Sequence, residues 1–96
     1  MELDIKKENG ILNIKVIGRL DTMTSPKLEE VINKNFDGIN SVVFDFKELN
    51  YISSAGLRIL VFSQKRISNM KILHPKGEVM EVLEVTGLSN IFKIEQ

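Results

Sequence analysis

The chain has 96 residues, 43% of them hydrophobic, which suits one small domain with a real core and leaves no room for two. Its 13 basic and 13 acidic residues cancel, which excludes nucleic-acid binding by phosphate neutralisation and adsorption to anionic membranes by bulk charge. With no cysteine and one histidine, disulfides, thiolate metal sites and a self-contained zinc site are excluded, and no apolar run approaches the ~20 residues that span a bilayer.

The N-terminal stretch, Met1 to Lys7, alternates in charge sign and does not read as a secretory leader. The expectation is therefore a cytoplasmic protein. Leu3 and Ile5 alternate with Glu2, Asp4 and Lys6, a period-two pattern that predicts a strand with one wet face. Asn9-Gly10 is a hairpin signal, because both residues tolerate positive φ. Leu12, Ile14 and Val16 predict the antiparallel partner strand, ending at Gly18. A polar connection, Arg19 to Thr24, follows.

Ser25-Pro26 reads as N-cap and first residue of a helix, with Glu29 and Glu30 in its first turn. Leu28, Val31, Ile32 and Phe36 recur at helical spacing, and Asp37-Gly38 closes the helix. Val42-Val43-Phe44, with Phe46 after Asp45, is a nearly continuous apolar run that suits a central strand buried on both faces. Leu49 and Ile52 lead into Ser53-Ser54-Ala55-Gly56. A helix is predicted from about Ser54 to Ile67, with Leu57, Leu60, Val61 and Ile67 on its apolar face and Ile59 and Phe62 widening it. Met70, Ile72 and Leu73 predict a strand that His74-Pro75 closes. Val79, Val82 and Leu83 predict a third helix, Gly87 its C-terminal stop, and Phe92 and Ile94 a last short strand. The order β-β-α-β-α-β-α-β favours an α/β fold with a mixed sheet of about five strands and right-handed crossovers.

Serines at the start of a helix have two readings. One is a capping hydroxyl, for which Ser53 is the better placed. The other uses the free N–H groups and dipole there, which favour a negative group on Ser54. Asp21 reads equally as an Asx turn into the next helix or as an exposed acidic contact. Asp45 reads as a strand-end acceptor and Arg58 as a surface cation. Glycine at position 56 costs helix stability, so close approach of a partner backbone or of a neighbouring strand must favour it. Met23, Met70 and Met80 read as core filler or loop. The single histidine lies in a different segment and no elbow glycine precedes Ser54, so a nucleophilic triad is not predicted, and no phosphate-cradling glycine motif occurs. A non-enzymatic role is expected, with no cofactor and no metal.

Gly18-x-Leu20-Asp21-Thr22, the strand ending at Asp45, Tyr51-Ile52-Ser53-Ser54-Ala55-Gly56-Leu57-Arg58, Val82-Leu83-x-x-x-Gly87-Leu88 and Phe92-x-Ile94 together resemble the STAS domain, over residues 1–96. More narrowly they resemble bacterial anti-sigma factor antagonists. That resemblance implies a mixed sheet with helices packed on one face. It implies a protein that binds an anti-sigma factor, itself a serine protein kinase, and lets go once phosphorylated, with a serine phosphatase resetting it. It places the phospho-acceptor on Ser54, with Ser53 the alternative hydroxyl where many members carry aspartate. It places Asp21 on the loop beside the acceptor. The implied partner surface comprises Asp21, Thr22, Ser53, Ser54, Gly56 and Arg58. The resemblance leaves two other roles open: a non-phosphorylated adaptor subunit of a membrane transporter assembly, and small-ligand binding.

Overall fold

The computed structural model describes residues 1–96. Its elements run β1 (Glu2–Glu8), β2 (Ile11–Leu20), α1 (Ser25–Lys34), β3 (Ser41–Asp45), β4 (Leu49–Ile52), α2 (Ser54–Arg66), β5 (Met70–Leu73), α3 (Gly77–Val85), a single 3₁₀ turn (Leu88–Asn90) and β6 (Lys93–Glu95). The sheet has six strands in the order β1-β2-β3-β5-β6, with β4 paired to β2. Only β1–β2 is antiparallel; the other pairs are parallel, so the sheet is mixed. The β1–β2 hairpin turns on Asn9 and Gly10, both at positive φ (53° and 77°), the conformation that matches the twist of the flanking strands.

One sheet face carries Leu12, Ile14 and Val16 from β2, Val42 and Phe44 from β3, and Met70 and Ile72 from β5, all buried. They join Leu28 and Ile32 of α1, Ile59 and Leu60 of α2, and Val79 and Leu83 of α3 in one cluster of 19 core residues. All three helices therefore cover this face. The alternate residues of the strands, among them Asp4, Lys6, Asn13, Lys15, Lys71 and Lys93, form an open polar face. Val43 is on that side and is still only 8% exposed, because Asn13 and Lys71 stand beside it on the neighbouring strands.

Several expectations need correction. The strand count rises from about five to six, because Leu49–Ile52, read as a lead-in, is β4. It pairs with the last residues of β2 beyond a register shift between Gly18 and Arg19. Gly18 adopts φ 97° at that shift, a value an L side chain rarely tolerates. Ser25 is not the N-cap of α1. Thr24 is, in a helical conformation and without a capping side chain of its own. Glu29 and Glu30 lie past the first turn, and Glu30 pairs with Lys34 at 2.8 Å one turn on. Phe62 does not widen the core face of α2; it is 49% exposed.

Candidate functional site

The junction of β2, β4 and α2 positions the Ser53-Ser54 pair. β4 lies beside the end of β2, with Ile52 opposite Leu20, and the Ser53 N–H donates to the Leu20 carbonyl at 2.9 Å. That bond fixes the entry to α2 directly beside the loop that starts at Asp21. Ser53 is the N-cap in extended backbone, and its Oγ accepts from the Gly56 N–H at 3.4 Å. Ser54 is the first helical residue. Its side chain is exposed and takes no part in the hydrogen bonding of the fold.

Gly56 is buried under the same junction. A Cβ there would stand 2.8 Å from Leu20 Cγ and 2.9 Å from Ile52 Cγ1. Of the two close approaches that could favour glycine, the one observed is the neighbouring strands. Gly56 thus contributes clearance for seating the helix rather than accessible surface.

Asp21 organises its own loop. Its Oδ1 accepts from the Met23 N–H and the Thr24 N–H, both at 3.0 Å, and from the Thr24 hydroxyl at 3.1 Å. The Ser25 hydroxyl donates to the Asp21 carbonyl. Asp21 therefore closes an Asx turn just ahead of α1, the turn that was one of its two readings, and caps no N–H of the helix itself. The Thr24 N–H is the largest cause holding its carboxyl below the ordinary range; the Thr24 hydroxyl, the Met23 N–H and Arg19 act the same way, against partial desolvation. Arg19 stands 3.7 Å from Asp21 Oδ2 and stacks over the Tyr51 ring at 4.1 Å, tying the loop to β4. So anchored, the loop projects Thr22 and Met23 into solvent, Met23 at 87% exposure.

A shallow cleft of about 180 Å³ runs between the starts of α1 and α2, lined by Thr22, Ser25, Pro26, Glu29, Ala55, Arg58 and Ile59. Thr22 and Arg58 thus both line it, with Ser54 adjoining through Ala55. Arg58 is exposed and makes no ion pair. Positions 55, 58 and 62 share one helical face, so exposed Phe62 continues the surface one turn beyond Arg58. Met23 and Phe62 are two exposed apolar residues beside this cleft that were not expected at the partner surface. The Ala55-Arg58-Phe62 spacing carried the signal for Phe62, and the place of Met23 in the polar connection Arg19 to Thr24 carried the signal for Met23. Asp45 lies away from this cleft and accepts from the Lys47 N–H at 3.0 Å as a strand-end acceptor. No cluster of His, Cys, Asp or Glu could hold a metal ion, and no helix is long and apolar enough to cross a membrane.

A family model described as the STAS domain matches residues 2–96. The chain is 31% identical over 99 residues to a Bordetella bronchiseptica protein named as an anti-sigma factor antagonist, BtrV, covering 98% of this chain and 85% of that one. It is 25% identical over 101 residues to the anti-sigma-B factor antagonist of Staphylococcus aureus, covering 100% of this chain and 94% of the relative. Among solved structures, an anti-sigma factor antagonist from Mycobacterium paratuberculosis superposes with a TM-score of 0.88 at 21% identity, covering 98% of this chain and 84% of that one. The antagonist SpoIIAA in its unphosphorylated form superposes with a TM-score of 0.85 at 16% identity, over 99% of this chain and 89% of that one. Its phosphorylated form superposes at 0.76, also at 16% identity, over 99% and 92%.

Proposed function

We propose, from the premise that this chain belongs to the STAS domain family, that it is an anti-sigma factor antagonist switched by phosphorylation of Ser54. Unmodified, it docks on an anti-sigma factor that is also a serine kinase. The docking surface is the cleft between α1 and α2 with its rim: Thr22 and Met23 from the Asp21 loop, and Ser53, Ser54, Arg58 and Phe62 from the start and outer face of α2. Met23 and Phe62 supply exposed apolar area of the kind that anchors interfaces.

The observation that carries this reading is the separation of roles between the two serines. Ser53 caps α2, which leaves the Ser54 hydroxyl exposed and uncommitted. A phosphate on Ser54 adds about −1.5 to −2 charges at pH 7. The unpaired N–H groups and dipole at the start of α2 stabilise that charge, so the fold persists. The resemblance to SpoIIAA in both forms supports a scaffold that holds through modification. A partner packed against the bare hydroxyl meets an anion that it would have to desolvate, and it leaves. A serine phosphatase restores the binding form.

The test is to incubate the protein with its cognate anti-sigma kinase and ATP and to map the phosphate by mass spectrometry. The expected result is phosphate on Ser54, absent from Ser54→Ala, with Ser54→Asp losing the kinase and Ser54→Ala retaining it. Phosphate confined to Ser53, or equal tight binding by Ser54→Asp and Ser54→Ala, would overturn the proposal.

A further inference from the structure

β1 ends the sheet: it pairs with β2 on one side and with no strand on the other. It is seven residues long, and all but Leu3 are exposed. It carries no proline, and the register shift of the sheet lies in β2 rather than here. Such an edge is a template for another strand. Glu8 faces Ile11 across the two-residue turn, so this is the first hydrogen-bonded pair of the hairpin. Pairs then alternate, and Glu2, Asp4, Lys6 and Glu8 direct their backbone groups to β2. Leu3, Ile5 and Lys7 direct theirs outward, unpaired.

We propose that a second copy of this chain docks on β1, antiparallel about a two-fold axis at Ile5, so that the two sheets become one. This register meets three independent requirements. It pairs outward residues with outward residues, Leu3 with Lys7 and Ile5 with Ile5, so the free N–H and C=O groups on both edges find partners. It sets Asp4 of each copy opposite Lys6 of the other, twice, on the open polar face. It brings together the two Ile5 side chains, each 43% exposed in the single chain and lying on the helix side of the sheet. The symmetric registers one step away put Asp4 opposite Asp4 or Lys6 opposite Lys6, and like charges directly opposed disfavour pairing. The remaining like-charged contact, Glu2 with Glu8, falls at the strand ends. Lys6 is free to take the new partner: it is 71% exposed, and its contact with Glu8 is 3.5 Å.

A single strand pair is a small contact, so the dimer is weak and its population depends on concentration. Sedimentation velocity over a concentration series up to the near-millimolar range reads it directly. The wild type is expected to dimerise. Asp4→Lys alone and Lys6→Asp alone should each weaken association by roughly tenfold or more. The equimolar mixture of these two variants, and the double variant Asp4→Lys/Lys6→Asp, should recover it, because each restores opposite charges in the same register. Asp4 and Lys6 are exposed, so these variants keep the fold, and neither lies in the Ser54 cleft. A covalent check uses the cysteine-free background. Ile5→Cys should oxidise to a disulfide-linked dimer, since a hydrogen-bonded antiparallel pair holds its Cα atoms about 5.5 Å apart, whereas Leu3→Cys should not. A wild type that stays monomeric throughout would overturn the proposal. So would a dimer that neither Asp4→Lys nor the charge swap changes.

Discussion

Gly56→Ala probes how α2 is seated. The added Cβ falls 2.8 Å from Leu20 Cγ, 2.9 Å from Ile52 Cγ1 and 3.0 Å from Leu20 Cδ2. Carbon atoms pack at about 3.5–4.0 Å, so roughly 0.5–1 Å must open on two sides at once. Neither neighbour yields easily: Leu20 is fully buried, Ile52 is 3% exposed, and they are paired across β2 and β4. Overpacking of this kind costs about 1–3 kcal/mol, while alanine returns at most about 1 kcal/mol of helix propensity. The net expectation is a loss of about 1–2 kcal/mol, hence a Tm lower by roughly 4–15 °C for a domain of this size. Thermal unfolding of the two proteins, followed by circular dichroism at one pH, measures it. A Tm equal to or above wild type would refute the reasoning. It would mean that α2 is not clamped on the β2–β4 pair, and that the glycine instead leaves room for a visiting partner.

Ser53→Ala removes the α2 cap; because the Gly56 N–H reaches Ser53 Oγ over a long 3.4 Å, the loss should sit at the low end of capping effects, about 0.5–1 kcal/mol by denaturant unfolding, while Ser54→Ala should be near neutral. Equal losses at both serines would contradict the assignment of roles. Asp21 has a carboxyl held below its ordinary value of 3.8, chiefly by the Thr24 N–H. A depressed folded value means that its stabilisation is present above the unfolded value and is lost as pH falls through the folded one. The stability gap between wild type and Asp21→Asn should therefore stay flat from pH 7 down to near the ordinary value of 3.8 and shrink only as the pH falls below it; a gap that stays constant there too would count against the loop geometry. Phe62→Ala and Met23→Ala should leave the Tm close to wild type, because both side chains are exposed, and should weaken binding to the anti-sigma kinase by about fivefold or more in calorimetry. Unchanged affinity in both would move the docking face elsewhere.

The legible parts of the sequence were those where a local rule and the tertiary context agree. Asn9-Gly10 demands positive φ at two consecutive residues, and only a tight hairpin uses that well. Ser53 followed by an amphipathic run gives the start of α2 to the residue. The misreadings come from places where a nonlocal partner decides. β4 is four residues long, and its identity rests on pairing with β2 beyond a register shift, which no window of sequence contains. Ser25-Pro26 does open α1, but the Ser25 hydroxyl donates to the Asp21 carbonyl four residues earlier and so does not cap the helix. Phe62 has the composition of a core residue, but its angular position places it with Ala55 and Arg58 on the cleft side of α2, where it stays 49% exposed.

On the reading proposed for Ser54, its surroundings would let a domain this small carry a charge switch without loosening. A stability of about 0.05–0.15 kcal/mol per residue makes one lost cap a sizeable fraction of the total, so modifying the capping hydroxyl itself would trade regulation against folding. An acceptor one residue later, as proposed for Ser54, would avoid that conflict. Arg58, exposed and without a carboxylate partner, stands four residues beyond Ser54 on the same helix, the spacing at which opposite charges meet. On this reading the released protein shelters its phosphate between the helix N-terminus and Arg58. A partner seated over the cleft covers both Ser54 and Arg58, so the compensation that stabilises the free phosphoprotein is unavailable in the complex. The difference between those two environments, rather than any change of shape, sets the direction of the switch.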